Sequence, residues 1–141
     1  MKLLMARHGQ STAQVEGASA GLNSPLTALG EQQAERLGAY LADTHAVAAI
    51  YASDLTRAHH TADIVGRHLG MPVTLDPDLR EYEDWDAGWA PSITSQWDTR
   101  PSDPVLSPGY QRFCDRLLAV LQRIADAAAE DDLILVVAHG G

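Results

Sequence analysis

Four short apolar segments constrain this chain more than any other feature: KLLMA (Lys2–Ala6), AAIYAS (Ala48–Ser53), PVTL (Pro72–Leu75) and LILVVA (Leu133–Ala138). Each is four to six residues long and lacks the alternation of a half-exposed strand. Such runs suit strands covered on both faces, as in a parallel sheet. Between them the period changes to that of helices. Over residues 27–44 the spacing predicts a helix with Leu29, Ala34, Leu37 and Leu41 on one face, and over 54–70 it aligns Leu55, Ala58, Ala62, Val65 and Leu69. Asp54 reads as the N-cap of this second helix and Gly70 as its C-cap, with Pro72 just beyond. A third helix over 110–129 carries Phe113, Leu117, Leu121, Ile124 and Ala128 as a stripe. Strands alternating with helices predict a three-layer α/β/α sandwich with a mostly parallel central sheet. At 141 residues one domain over 1–141 is expected.

Residues 81–109 break the pattern. They hold Trp85, Trp89, Trp97, four prolines and several acids with no clear period. A stretch this long inside a compact domain reads as a lid-like excursion, and three tryptophans argue against plain disorder.

Charge excludes several partners. Nineteen acidic against ten basic residues give a net charge of −9, which opposes nucleic acid and anionic membrane surfaces. No run approaches the roughly 18 apolar residues of a membrane span, and no signal-peptide pattern opens the chain, so a soluble, cytoplasmic protein is expected. The single cysteine, Cys114, cannot form an internal disulfide and reads as a helix packing residue. Lys2 is the only lysine, so nine of the ten basic residues are arginine, whose planar fork suits phosphate or carboxylate.

In open α/β sheets ligands bind beyond the carboxyl ends of the strands. Those ends carry Arg7, His8 and Gly9 after the first strand, and Ser53 with Arg57 after the second. Arg80 and Glu81 follow the third, and His139, Gly140 and Gly141 follow the fourth. A neutral imidazole can attack phosphorus, and flanking cations bind the phosphoryl group while keeping the imidazole unprotonated. Arg7, Arg57 and His139 would form the positive ring and Glu81 would supply the leaving group's proton. Gly9 would allow a tight turn and bring backbone N–H groups close to the anion. Taken alone, Arg-His-Gly is only a polar turn, Arg57 a solvated helix residue, and Glu81 one of several acids with Glu83, Asp84 and Asp86. His59 and His60 point about 100° apart on one helix and suit no shared metal ion. They read as surface or rim residues, and His45 and His68 as helix-end residues near the dipole. No metal or cofactor is called for.

Taken together, RHGQS, NSPLTALGEQQA, YASDLTRAHHTA, LRE and VVAHGG resemble, in order, the motifs of the histidine phosphatase superfamily, which includes the phosphoglycerate mutases. The resemblance runs from Lys2 to Gly141. It implies that His8 becomes phosphorylated, that Glu81 is the acid, and that Arg7, Arg57 and His139 bind phosphate. Gln14 stands where many members carry a phosphate-binding asparagine. The implied activity is metal-independent hydrolysis of a small-molecule phosphate monoester. A mutase-type phosphotransferase is the neighbouring reading and a weakened phosphoester-binding module the more distant one. Only Arg100 offers a cation between Glu81 and Gly109, which favours hydrolysis. Members usually continue past His-Gly-Gly with a further helix and strand, so a chain ending at Gly141 is expected to expose apolar surface beside the sheet, and either to be less stable than a longer chain or to cover the gap as a homodimer.

Overall fold

The computed structural model describes residues 1–16, 23–81 and 108–140. Its elements run β1 (Lys2–Arg7), α1 (Thr12–Glu16), α2 (Ala28–Thr44), β2 (Val47–Ala52), α3 (Thr56–Leu69), β3 (Val73–Leu75), α4 (Pro108–Ala127) and β4 (Leu133–Ala138), with one 3-10 turn at Pro77–Leu79. The strands form one sheet in the order β1-β4-β2-β3, and every pairing is parallel. Helices cover both faces, which is the expected α/β/α sandwich.

The layering follows from connection handedness. The chain steps from β1 past β4 to β2 and on to β3, then returns to β4. Right-handed crossovers in opposite directions put their helices on opposite faces. Accordingly Leu41 of α2 and Ala58, Ala62 and Val65 of α3 pack with Ile50, Ala52, Leu135 and Val137 on one face. Val120 and Ile124 of α4 pack with Ile134, Val136 and Ala138 on the other. Alternate residues of β4 therefore serve two cores, and truncating one of them, as in Leu135→Ala, should cost about 2–5 kcal/mol.

Several sequence expectations need correction. β4 is buried nearly throughout, but β1 is not: Leu3 is 37% and Met5 56% exposed. Cross-strand register puts them beside Ile134 and Val136, on the face that α4 covers over β4 and β2, and β1 lies at the edge among the described strands. Leu29 is exposed as well. The buried stripe of α2 is Gly30, Ala34, Gly38 and Leu41, because Gly38 lets α3 approach closely, with the His68 ring lying over it, and Gly30 lies against the backbone of Gln10. Among the described side chains of α4 the buried ones are Phe113, Val120 and Ile124, while Leu121 is only partly buried. Asp54 does not cap α3. Leu55 occupies that position with no side-chain bond, and Asn23 Oδ1 accepts instead from the Thr56 N–H at 2.7 Å. Gly70 does close the helix, with φ +65° in the left-handed region that favours glycine. Cys114 is half-buried on α4. Among the described residues no helix is long and apolar enough to cross a membrane. The lid-like excursion lies outside the described residues except for Glu81 and the first residues of α4, and with it lie Trp85, Trp89, Trp97, Glu83, Asp84, Asp86 and Arg100.

Candidate active site

Register fixes where the polar groups meet. Arg7 pairs with Ala138 and Ala52 with Val137, so β1, β4 and β2 end at one level. The ladder continues one residue beyond β1 and β2: His8 N donates to Ala138 O and Ser53 N to Val137 O, both at 3.0 Å. His8 and Ser53 are thereby held on backbone the sheet has already ordered, and His139 directly follows β4. The His8 and His139 rings lie 5.3 Å apart, centroid to centroid.

His8 is buried, and one hydrogen bond decides its chemistry. Its Nδ1 lies 2.7 Å from Gly9 O. A carbonyl oxygen only accepts, so Nδ1 carries the hydrogen and Nε2 keeps its lone pair. Arg57 Nε donates to that Nε2 at 3.1 Å. Burial first of all, and then Arg57 and Arg7, push His8 down to about 4, against the raising effect of its bond to Gly9. His139 is lowered to about 3 by burial and then by Arg57, His8, Arg7 and Arg116. Both imidazoles are neutral near pH 7.

Arg57 stands in the first turn of α3, itself buried. Burial lowers its pKa; the Glu81 carboxylate acts to raise it and Arg7 to lower it. The structure thus brings together Arg7, His8, Arg57 and His139, with Glu81 near enough to act on Arg57. Arg7 is exposed, and the bare Cα of Gly140 leaves room for it: a Cβ there would lie 3.0 Å from the guanidinium carbon. Gln14 stands in α1, its Oε1 accepting from Ser11 N at 2.9 Å.

Gly9 has a different role from the one its sequence suggests. Its N–H donates to Thr61 Oγ1 at 3.0 Å, so that group is not left for an anion. The missing Cβ matters because the loop presses on α2: a Cβ on Gly9 would lie 2.4 Å from Gly30 O, and one on Gly30 would lie 2.1 Å from Gln10 O. Gln10 fastens the same loop, with N donating to Gln33 Oε1 and O accepting from Thr27 N.

Three contributors escape the sequence reading, and a fourth, Ser53, stands in it only as a polar residue at a strand end. Thr61 Oγ1 donates to Arg57 O at 2.7 Å while accepting from Gly9, which couples the arginine's helix to the histidine's loop. Arg116 reaches from α4 to Arg80 O and Pro77 O, both at 3.1 Å, and adds positive potential at His139. Asp54 takes Arg80 in a two-bond fork at 2.6 and 2.5 Å, which holds its carboxyl below the usual range and anchors the residue before Glu81. Ser53 lies 2.8 Å from His139 Nε2. Of these, Ser53 has a readable signal in its place after a strand and Thr61 in its i+4 spacing from Arg57.

The remaining histidines lie outside the site. His59 pairs with Asp63 at 3.1 Å, His60 lies 4.0 Å from Glu31, and His68 meets Glu35 on α2. His68 therefore answers a carboxylate across the helix pair as well as its helix end, while His45 contacts Thr44 and the Tyr40 ring.

Comparison with known proteins identifies the family and the fold. Residues 3–141 match the family described as the histidine phosphatase superfamily (branch 1). The chain is 32% identical over 155 residues to the adenosylcobalamin/alpha-ribazole phosphatase of Escherichia coli, covering 100% of this chain and 74% of that protein. It is 30% identical to phosphoglycerate mutase-like protein 4 of Arabidopsis thaliana, covering 99% of this chain and 66% of that protein. Among solved structures, a mycobacterial glucosyl-3-phosphoglycerate phosphatase complexed with VO3 superposes with a TM-score of 0.74 at 28% identity, over 98% of this chain and 74% of the other. A phosphoglycerate mutase from Bacillus anthracis gives 0.75 at 27% identity, over 98% of this chain and 74% of the other.

Proposed function

The chain belongs to branch 1 of the histidine phosphatase superfamily, and on that premise we propose that it hydrolyses small-molecule phosphate monoesters through a phosphohistidine, without a metal ion. The observation that carries the reading is the state of His8: a buried neutral imidazole whose Nδ1–H is held by Gly9 O, leaving the Nε2 lone pair among cations. An incoming phosphoryl oxygen takes over the Arg57 Nε–H that now rests on Nε2, and the lone pair is released as the anion arrives. Nε2 attacks phosphorus in line. The P–N bond forms, the P–O bond to the leaving alcohol breaks, and that oxygen takes a proton from Glu81. In the second half Glu81 accepts a proton from water, the hydroxide oxygen bonds to phosphorus, and the P–N electrons return to Nε2. Arg7, Arg57 and His139 hold the oxygens in both halves.

The mutase reading shares the first half and differs in the acceptor, and the plant and Bacillus relatives favour keeping it in view. Both readings are tested by a brief reaction with labelled substrate. Acid-labile phosphate should appear on the chain and be absent from His8→Ala, and label that persists in the variant sinks the assignment. Water as final acceptor gives free phosphate, whereas a mutase gives an isomeric ester. Glu81 is tested through the leaving group. Glu81→Gln should slow alkyl phosphates by about 10²–10⁴-fold and an activated aryl phosphate far less, since the latter's leaving group needs little protonation. Equal slowing of both would move the acid to another carboxylate.

A further inference from the structure

Ser53 is fully buried, and its hydroxyl meets two groups. Its Oγ accepts from the Leu55 N–H at 3.3 Å and lies 2.8 Å from His139 Nε2. The first contact already brings a hydrogen to the oxygen. If Nε2 brought a second, the hydroxyl's own hydrogen would be buried with no acceptor among the described residues. The alternative leaves nothing unpaired at Ser53: Oγ–H donates to the Nε2 lone pair. A neutral imidazole that accepts at Nε2 carries its hydrogen on Nδ1. In this structure His139 Nδ1 is buried and has no hydrogen-bond partner among the described residues. An enclosed N–H without an acceptor is costly, and nothing among the described residues relieves it.

We propose that Ser53 is a positioning residue, which locks His139 in the Nδ1–H tautomer so that it offers a neutral hydrogen-bond donor to an oxygen of the tetrahedral oxyanion bound at His8. The rings' 5.3 Å separation puts the two histidines on one ligand. The tautomer follows from the Ser53 contacts alone, and the identity of the oxygen rests on the phosphohistidine reading. The arrangement makes the two histidines complementary. Held through Nδ1, His8 presents a lone pair; held through Nε2, His139 presents a hydrogen.

Histidine-selective nitrogen-15 NMR of the full chain reads the tautomer directly, with the His139 signals identified by their loss in His139→Ala. The expected spectrum has Nδ1 protonated and Nε2 bare in His139, and the Nδ1–H resonance moves when inorganic phosphate is added. Ser53→Ala should let the ring repopulate the Nε2–H form and weaken phosphate binding about tenfold or more, the loss of one hydrogen bond to a charged group. Ser53→Thr, which keeps the hydroxyl, should restore both. A wild-type His139 protonated on Nε2 overturns the proposal even if no Ser53 variant folds, as does a Ser53→Ala protein with an unchanged tautomer and unchanged phosphate affinity. If phosphate binding behaves as expected but no phosphohistidine can be trapped, the hydrolase reading fails and the positioning role stands. If phosphohistidine forms on a protein whose His139 carries its hydrogen on Nε2, the reverse holds.

Discussion

β1 and β4 end alike, in Arg7-His8-Gly9 and Ala138-His139-Gly140, and they lie side by side in parallel register. The same dipeptide at the same level of the sheet nevertheless takes two different states. His8 faces its own loop and gives its Nδ1 hydrogen to Gly9 O; His139 faces β2 and takes a hydrogen from Ser53. The difference teaches that the residue type supplies only a ring. The neighbour on its far nitrogen decides whether that ring attacks or donates.

The largest effect should separate the two rings by substitution. His8→Ala should lower turnover by at least about 10⁴-fold, as loss of a nucleophile does, while His139→Ala should lower it by about 10²–10³-fold, as loss of one oxyanion donor does. Steady-state rates on one alkyl phosphate measure both. A His139→Ala protein as inactive as His8→Ala, with no phosphoenzyme, would exchange their roles.

Acid should next bring out what the rings share and where they part. Both have a native pKa below the ordinary 6.5, lowered to about 4 for His8 and about 3 for His139. The unfolded chain therefore binds protons first. The stability each ring contributes is complete above about pH 6.5, declines as the pH falls, and is lost once the native pKa is passed. The two contributions decline together down to about pH 4, where that of His8 ends and that of His139 continues to about 3. Urea midpoints between pH 7 and 5 should fall in the wild type and fall less steeply in either His→Ala protein. A wild-type midpoint that rises over this range would mean the rings are charged in the native state.

How much of this could be read from the sequence follows the same division. The LILVVA strand has the bounds its pattern predicts, and the others differ by one residue at one end or, for β2, at both, because a short apolar run between helical periods has few alternatives. Burial was less readable. The apolar character of β1 does not reveal that it forms a sheet edge among the described strands, and Leu3 and Met5 show the result. At the site, strand ends announce His8, Arg57 and His139, since polar residues directly after apolar runs stand out. Ser53, Asp54 and Arg116 act through partners 86, 26 and 36 residues distant, and no local pattern carries such pairings. Asp54 was the more misleading for suiting a helix cap in sequence, whereas its fork to Arg80 is the stronger bond.

The smallest effect concerns the glycine that follows each histidine, and it makes the comparison sharper because the substitution is identical. An alanine Cβ at Gly9 would meet backbone, with Gly30 O at 2.4 Å, so either the loop or the start of α2 must shift. An alanine Cβ at Gly140 would meet only the guanidinium end of an exposed Arg7, at 3.0 Å, and a side chain can turn aside. Neither glycine has a positive φ, so contact and not backbone strain decides both cases. Gly9→Ala should therefore cost about 1–3 kcal/mol of stability, the usual range for forced packing, and should reduce the amount of folded protein. Gly140→Ala should leave the urea midpoint nearly unchanged and weaken phosphate affinity through a displaced Arg7, by less than the roughly 10²-fold that a 1 Å misplacement brings. Chemical denaturation and phosphate titration of the two proteins form a two-by-two test. If Gly140→Ala lost stability and kept its affinity, Arg7 would not be a phosphate ligand, and the positive ring would rest on Arg57 with Arg116 behind it.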